Sequence, residues 1–421
     1  MNRPLAALSA TLFATQFATL GLLALTQPAL AAEPVIPGIE VLLSDRIELV
    51  QGKRVGLLTN PAAVDRALIS TLDRLRSDKR IKLTQLWAPE HGLAAATPNG
   101  TSNTKGIEAR TGLPIEGLFG DRTAPSAETL ARVDVLLFDL QDIGSRTYTY
   151  VSTLGKVMQA CAAHKVKVVV LDRPNPLGGT LFEGPVRTAR RKSLLGWGPF
   201  PVTHGMTFGE VAKFYNTELK IKADLEVVHM KGWRRAMLWD DTGLVWVPTS
   251  PGIPKPLNAT MYVATGMVCG SGPNCNEGGG NAMPFELIGA PWMDGEKFAA
   301  ALTTVAKGVQ GLENVRFRPM TWLPWHGQYD GKITHGVQIH LLSVHGFRPL
   351  RLALILLSVL HNEFDSQLKV PNAGRFALIW GNDEVLPQLR AHLPWQQIEA
   401  SWQKELDAFA VLRARYLLYP P

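Results

Sequence analysis

The stretch Ile81-Lys82-Leu83-Thr84-Gln85-Leu86-Trp87-Ala88-Pro89-Glu90-His91-Gly92 decides the fold class. Its first seven residues read as an apolar strand that stops abruptly at a proline. Pro removes a ladder donor and Gly permits a sharp turn, so Glu90 and His91 fall on the loop beyond the strand. In an open parallel sheet, ligands collect outside the carboxyl ends of the strands.

The same rhythm repeats on either side. Arg54–Thr59 is a short apolar strand ending at Asn60-Pro61, and Ser70–Ser77 is a helical segment. Val133–Phe138 and Val166–Leu171 are further strands, separated by the helical spacing of Tyr150–His164. Near-continuous Val/Leu runs alternating with helices indicate a parallel sheet covered on both faces. The fold class is α/β, a Rossmann-like doubly wound sheet followed by a smaller mixed α/β domain. All four strands end in polar clusters: Asn60; Glu90-His91; Asp139 with Gln141-Asp142; and Asp172-Arg173 with Asn175. Any one of these reads equally as a helix cap. Four on one edge mark that edge as the candidate active site.

The texture changes after Pro176. Leu177–Pro201 reads as a long connecting loop, and Thr207–Leu219 as a helix with Thr207 at the N-cap and Glu210 in a capping box. Glu226–Met230 and Gly336–Leu342 alternate as strands of the second domain, with a helix over Leu350–Phe364. One closing helix carries Trp395, Ile398, Trp402, Leu406, Phe409, Leu412 and Tyr416 on a single core-facing stripe. The expected layout is a signal peptide over 1–31, an N-terminal domain over 32–200 and a C-terminal domain over 201–421.

Composition bounds the function. The 421 residues are 46% apolar and 19% charged, enough for a large core and against disorder. Leu5–Leu25 is apolar, and Ala29-Leu30-Ala31 fits a signal-peptidase site, so export to a periplasmic or extracellular space is expected. No later run reaches the ~20 apolar residues of a membrane span, so no membrane insertion is expected after signal cleavage. The formal net charge of +7 suits anionic polymers, yet no dense Lys/Arg stripe indicates nucleic acid. The first strand lacks GxGxxG and no P-loop occurs, so no dinucleotide cofactor is expected. No HExxH or clustered His/Cys pattern indicates a metal, and no GxSxG elbow indicates a serine hydrolase. Cys161 reads as a buried thiol, whereas Cys269 and Cys275 bracket a short loop that a disulfide could close.

Three constellations carry chemistry. Glu90, beside Pro and Trp, is expected to be partly desolvated and so able to hold a proton for a leaving glycosidic oxygen; a capping Glu is the alternative. The run Asp139 to Tyr150 supplies acids, an amide and a guanidinium, and Asp142 and Arg146 at helical spacing could equally form an internal ion pair. Glu183-Gly184-Pro185, His204-Gly205-Met206-Thr207 and Asn274 to Gly280 are candidate rims, though glycines there also serve ordinary turns. Trp233, Trp239, Trp246 and Trp292 are read as core rather than sugar platforms.

Taken together, these segments resemble the exo-β-N-acetylmuramidase family of glycoside hydrolases, formerly a domain of unknown function. The matching pieces include Leu57-Leu58-Thr59-Asn60-Pro61, Ala88-Pro89-Glu90-His91-Gly92, Phe138 to Tyr150, Leu171 to Gly179, Glu183-Gly184-Pro185, His204 to Thr207 and Pro284-Phe285-Glu286. The resemblance implies an active-site cleft between the two domains and release of terminal β-1,4-linked N-acetylmuramic acid from peptidoglycan fragments, with Glu90 as the prime catalytic candidate. His91, Asp139, Asp142 and Glu277 are further catalytic candidates. Asn60, Gln141, Arg146, Tyr148, Asp172, Asn175, Glu183, His204, Asn274 and Glu286 are candidate substrate contacts. Relatives commonly carry Arg where this chain has Thr203 and Gly279, and Arg is the natural partner of the lactyl carboxylate of N-acetylmuramic acid. A non-catalytic muropeptide-binding protein with a drifted pocket is the rival expectation.

Overall fold

A computed structural model describes residues 34–98, 100–101 and 105–421; the expected signal peptide lies outside them. Seven strands form the larger sheet: β1 (Arg54–Thr59), β2 (Lys82–Ala88), β3 (Lys105–Ile107), β4 (Pro114–Gly117), β5 (Val135–Asp139), β6 (Lys167–Leu171) and β7 (Leu225–Val228). Their order is β3-β4-β2-β1-β5-β6-β7. Only the edge strand β3 runs antiparallel to its neighbour. Helices Gly38–Asp45 and Thr71–Ser77 cover one face through Ile39, Leu42, Leu72 and Leu75. Helices Thr149–His164 and Phe208–Glu218 cover the other through Leu154, Met158, Val211 and Phe214.

Local chemistry sets these boundaries. Ser70 caps Thr71–Ser77 by accepting from the Asp73 N–H at 3.1 Å. Thr207 and Glu210 form the expected capping box at Phe208–Glu218. Gly56 leaves room on β1 for the Trp87 ring, where any Cβ would collide with the indole.

A three-stranded antiparallel sheet, order β8-β10-β9, follows: β8 (Leu287–Ala290), β9 (Val315–Trp322) and β10 (Thr334–Leu341). Helices Gly295–Ala306 and Pro349–Glu363 belong to this second part, and one core runs continuously from Phe138 and Val170 to Leu354 and Trp380.

Two expectations are corrected. The strand read at Glu226–Met230 belongs to the first sheet: β7 pairs in parallel with β6, from Val168↔Leu225 to Leu171↔Val228. The crossover to it is the helix Phe208–Glu218, and a four-residue strand does not reveal its sheet partner from sequence. The closing helix is broken into Trp395–Ala400, Gln403–Arg413 and a 3-10 turn at Ala414–Tyr416. Ser401 donates to the Ile398 carbonyl at 2.7 Å, a local bond that competes with helix continuation.

Asp172 closes the carboxyl end of β6 onto the rest of the chain. It has no exposed surface and accepts from Gly209 N–H (2.9 Å), Thr207 hydroxyl (2.6 Å) and Tyr419 hydroxyl (2.6 Å). Burial pushes its carboxyl up from 3.8 to about 6, against the pull of those donors. A raised carboxyl favours the folded state while protonated, and that contribution is lost as pH climbs from about 4 through about 6. Relative to Asp172→Asn, the wild type is expected to lose roughly 2–3 kcal/mol of unfolding free energy across that window. Urea titrations of both proteins at several pH values read this difference; parallel curves would contradict it.

Candidate active site

Glu90 stands where β2 gives out. Pro89 ends the strand, and His91 (φ 70°) and Gly92 (φ 77°) are both left-handed, which turns the chain sharply back. The half-buried Glu90 carboxylate has two donors among the described residues, one from its own loop and one from a distant helix. Gly100 N–H donates to Oε1 at 2.7 Å, and the Thr149 hydroxyl donates to Oε2 at 2.7 Å. The Glu90 carbonyl also lies 3.2 Å from the Tyr150 hydroxyl. Thr149 opens the helix Thr149–His164, so the acid sits against a helix amino terminus. The Trp87 indole donates to Glu116 at 2.9 Å.

His91 builds the loop around Glu90. Its Nδ1 lies 2.9 Å from the Thr97 carbonyl, and its backbone N–H donates to the Thr101 carbonyl at 2.9 Å. The ring is buried, so His91 shapes the turn.

A polar and aromatic frame backs the acid. The Asn60 amide donates to the Tyr150 hydroxyl (3.2 Å) and the Thr249 carbonyl (3.0 Å). The Tyr148 hydroxyl donates to Thr249 Oγ1 at 2.8 Å, and its ring packs 4.6 Å from Tyr150 and 6.3 Å from Tyr262. The Tyr262 hydroxyl pairs with Thr147 Oγ1 at 3.2 Å. Tyr262 opens a π-helical turn, Tyr262–Gly266, between the helices Pro256–Met261 and Met267–Gly270. Such turns recur at functional sites. The run Arg146 to Tyr150 pointed to Tyr148; Thr149 lay in it without being singled out, and nothing in the sequence marked Tyr262.

Two of the other strand-end acids, Asp139 and Asp172, are already committed. Asp139 has no exposed surface and receives Arg173 Nε (2.5 Å), Arg173 Nη2 (3.0 Å) and the Thr71 hydroxyl (2.5 Å). That geometry corrects the catalytic expectation, because no free oxygen remains for water or sugar. Asp142 is buried with its Oδ2 3.2 Å from His204 Nε2. The Met206 N–H donates to His204 Nδ1 at 3.2 Å, and neither His204 Nε2 nor the Asp142 carboxylate makes a hydrogen bond among the described residues. Gln141 braces this turn by donating to the Asp142 carbonyl (2.9 Å) and the Pro174 carbonyl (2.8 Å).

Several candidate contacts hold the fold instead. Arg146 is wholly buried and donates to the Leu195 (3.2 Å) and Ile379 (2.9 Å) carbonyls, so it does not pair with Asp142. Burial, then neighbouring Arg187, lowers its guanidinium to about 9. Asn175 donates to the Met206 carbonyl at 3.0 Å, and Glu183 accepts from Arg348 Nε at 2.5 Å. Asn274 ties to Lys369 N–H at 2.7 Å, and Glu286 accepts from Asn258 at 3.3 Å. Thr203 is buried in backbone bridges to Ser145 and Glu183 and offers no rim position.

Glu277 is the second acid that remains chemically interesting. Burial raises its carboxyl, and the Cys269 thiol donates to it. Cys269 and Cys275 are free and buried, so the disulfide their spacing permits does not form. Burial lifts the Cys275 thiol to about 12 and the Cys161 thiol to about 12, as suits inert packing groups.

A groove of about 840 Å³ runs along the carboxyl ends of β1 and β2, lined by Asn60, Leu93, Ala94, Ile107 and Val247 among others. A separate cavity of about 550 Å³, between Leu177 and Phe347, is lined by none of the candidate residues. Of the tryptophans, Trp233 and Trp239 are buried, and Trp246 and Trp292 pack on the core. No helix among the described residues is long and apolar enough to cross a membrane.

A doubly wound sheet with one accessible, tethered acid at its carboxyl edge is the framework of an α/β enzyme. The chain belongs to the exo-β-N-acetylmuramidase NamZ family: its N-terminal model matches residues 55–257 and its C-terminal model residues 260–419. A relative from Bacillus subtilis (strain 168), named peptidoglycan β-N-acetylmuramidase NamZ, is 37% identical over 382 residues, 91% of each chain. Two crystal structures of DUF1343 family proteins from Bacteroides fragilis share the fold. One is 34% identical with a TM-score of 0.84, and the other 26% identical with a TM-score of 0.74. Each covers 92% of this chain and 99% of its own.

Breaking the Asp139–Arg173 pair strands a buried charge. Asp139→Ala is expected to cost about 3–5 kcal/mol of unfolding free energy in urea, and the double variant Asp139→Ala/Arg173→Met to recover part of that loss. An unchanged urea midpoint for Asp139→Ala would contradict the structural assignment.

Proposed function

We propose that this protein is an exo-acting glycoside hydrolase that releases terminal β-1,4-linked N-acetylmuramic acid from peptidoglycan fragments. Family membership supports the activity, and the B. subtilis relative is named for it. The observation that carries the mechanism is the tethering of Glu90 by Thr149 and Gly100 at the carboxyl edge of β2.

Glu90 gives its proton to the glycosidic oxygen as the bond to the anomeric carbon breaks. A tethered carboxyl loses little freedom on meeting the substrate, which favours reaction over encounter. Glu277 is the second carboxyl: its raised pKa makes it a stronger base once ionised, suited to activating water or steadying the sugar cation. Asn60, Tyr148, Tyr150 and Thr249 hold the wall behind Glu90, so their effect on turnover passes through its position. The charge-poor leader over 1–31 supports export, which would put the enzyme beside its polymer in the periplasm or outside the cell.

The test is Glu90→Gln on a disaccharide of N-acetylmuramic acid and N-acetylglucosamine. The expected result is a roughly 10²–10⁴-fold fall in kcat with an unchanged melting temperature. If the wild type binds the disaccharide and never cleaves it, a non-catalytic muropeptide-binding protein replaces this reading.

A further inference from the structure

We propose that Glu90 carries its transferable proton on Oε2, and that Thr149 is a positioning residue whose hydroxyl steadies the charge left there as the proton departs. The proposal rests on the glycosidase reading for its reaction, and on the following geometry for its atoms.

The two oxygens of Glu90 face donors of different kinds. Oε1 accepts from the Gly100 N–H and Oε2 from the Thr149 hydroxyl, each at 2.7 Å. A backbone N–H can only donate. A protonated Glu90 keeps that bond at full strength when Oε1 is its carbonyl oxygen and Oε2 its hydroxyl oxygen. A threonine hydroxyl rotates and can donate or accept, so it suits Oε2 in either protonation state.

Thr149 is fixed in place for this task. It is buried and opens a helix of 16 residues, between two anchored tyrosines. The Tyr148 hydroxyl donates to Thr249 Oγ1 at 2.8 Å, and the Tyr150 hydroxyl donates to the Thr249 carbonyl at 3.0 Å. The Tyr150 hydroxyl also lies 3.2 Å from the Glu90 carbonyl, so one phenol ties the backbone of the acid to the residue beside Thr149. The Thr153 hydroxyl donates to the Thr149 carbonyl at 3.1 Å and holds the first helical turn.

In the reaction, the proton moves from Oε2 to the glycosidic oxygen, which takes the electron pair of its bond to the anomeric carbon. Water adds to that carbon, and the proton it releases returns to Glu90 through solvent. Before transfer, Thr149 donates to the hydroxyl oxygen of a neutral acid, a poor acceptor. As the proton leaves, negative charge gathers on Oε2, and the same bond becomes charge-assisted and about twice as strong. That charge also builds beside a helix amino terminus, which favours it. An interaction stronger in the transition state than in the bound ground state raises kcat and leaves KM unchanged.

Steady-state kinetics of wild type, Thr149→Val and Thr149→Ser would compare the N-acetylmuramic acid–N-acetylglucosamine disaccharide with a dinitrophenyl muramide. Valine keeps the shape and removes the hydroxyl, whereas serine keeps the hydroxyl. Thr149→Val is expected to lose about tenfold in kcat on the disaccharide, at unchanged KM, and to keep its rate on the dinitrophenyl muramide. Dinitrophenolate departs without a proton, so that substrate does not draw on the bond. Thr149→Ser should keep most of the wild-type rate on both. The ratio of the two rates is taken within one preparation, so a misfolded fraction does not alter it. Equal losses on both substrates, no loss on either, a rise in KM alone, or a serine variant as slow as the valine variant would overturn the proposal and leave the glycosidase reading standing. A wild type that cleaves neither substrate would overturn both.

Discussion

The Asp139 carboxylate and the Arg173 guanidinium form a buried pair across the ends of β5 and β6, and the carboxyl edge of the sheet is laid out around that contact. Arg173 also donates to the Val64 carbonyl at 2.8 Å, and Asp139 takes the Thr71 hydroxyl, so the pair gathers the segments that leave β1 as well. A buried pair of this kind adds little net stability over a well-packed apolar substitute, yet loss of either partner is costly. Its value lies in position. The turn from Leu140 to Tyr148 leaves β5 in one direction only, and that direction delivers Thr149 to Glu90.

The edge therefore carries two kinds of acid. Asp139 and Asp172 have given up their surface and their free oxygens to hold strands, helix amino termini and the closing Tyr419 together. Glu90 keeps part of its surface and is held by two donors among the described residues. Catalysis needs an acid that is fixed in place and still reachable, and the committed acids supply the fixing. Asp142 and His204 form an intermediate case, a buried couple 3.2 Å apart whose orientation is dictated by the Met206 N–H.

Much of the fold was legible because it is written locally. The Thr207 cap, the proline stop at Pro89 and the Val/Leu runs of β1, β5 and β6 each act within a few residues. Assigning strand-end acids to chemistry or to structure was not legible, because the deciding partners come from far along the chain. Asp139 is explained by Arg173, Asp172 by Tyr419, and Glu183 by Arg348. β7 was recognised as a strand and given to the wrong sheet for the same reason: pairing is a long-range property. Tyr262 lies more than a hundred residues beyond Thr147 and carries no motif of its own. Glu90 was the exception, since the sharp strand stop placed it on the open edge without help from any distant residue.

The central claim is that Glu90 acts as the acid toward the leaving group. The most direct measurement compares Glu90→Gln with wild type across muramides whose leaving groups range from a sugar hydroxyl to an acidic dinitrophenol. A leaving group that departs without a proton does not need the acid. The account predicts that the variant loses the sugar substrate and keeps most of its rate on the dinitrophenyl muramide. A loss of the same size on every leaving group would contradict it.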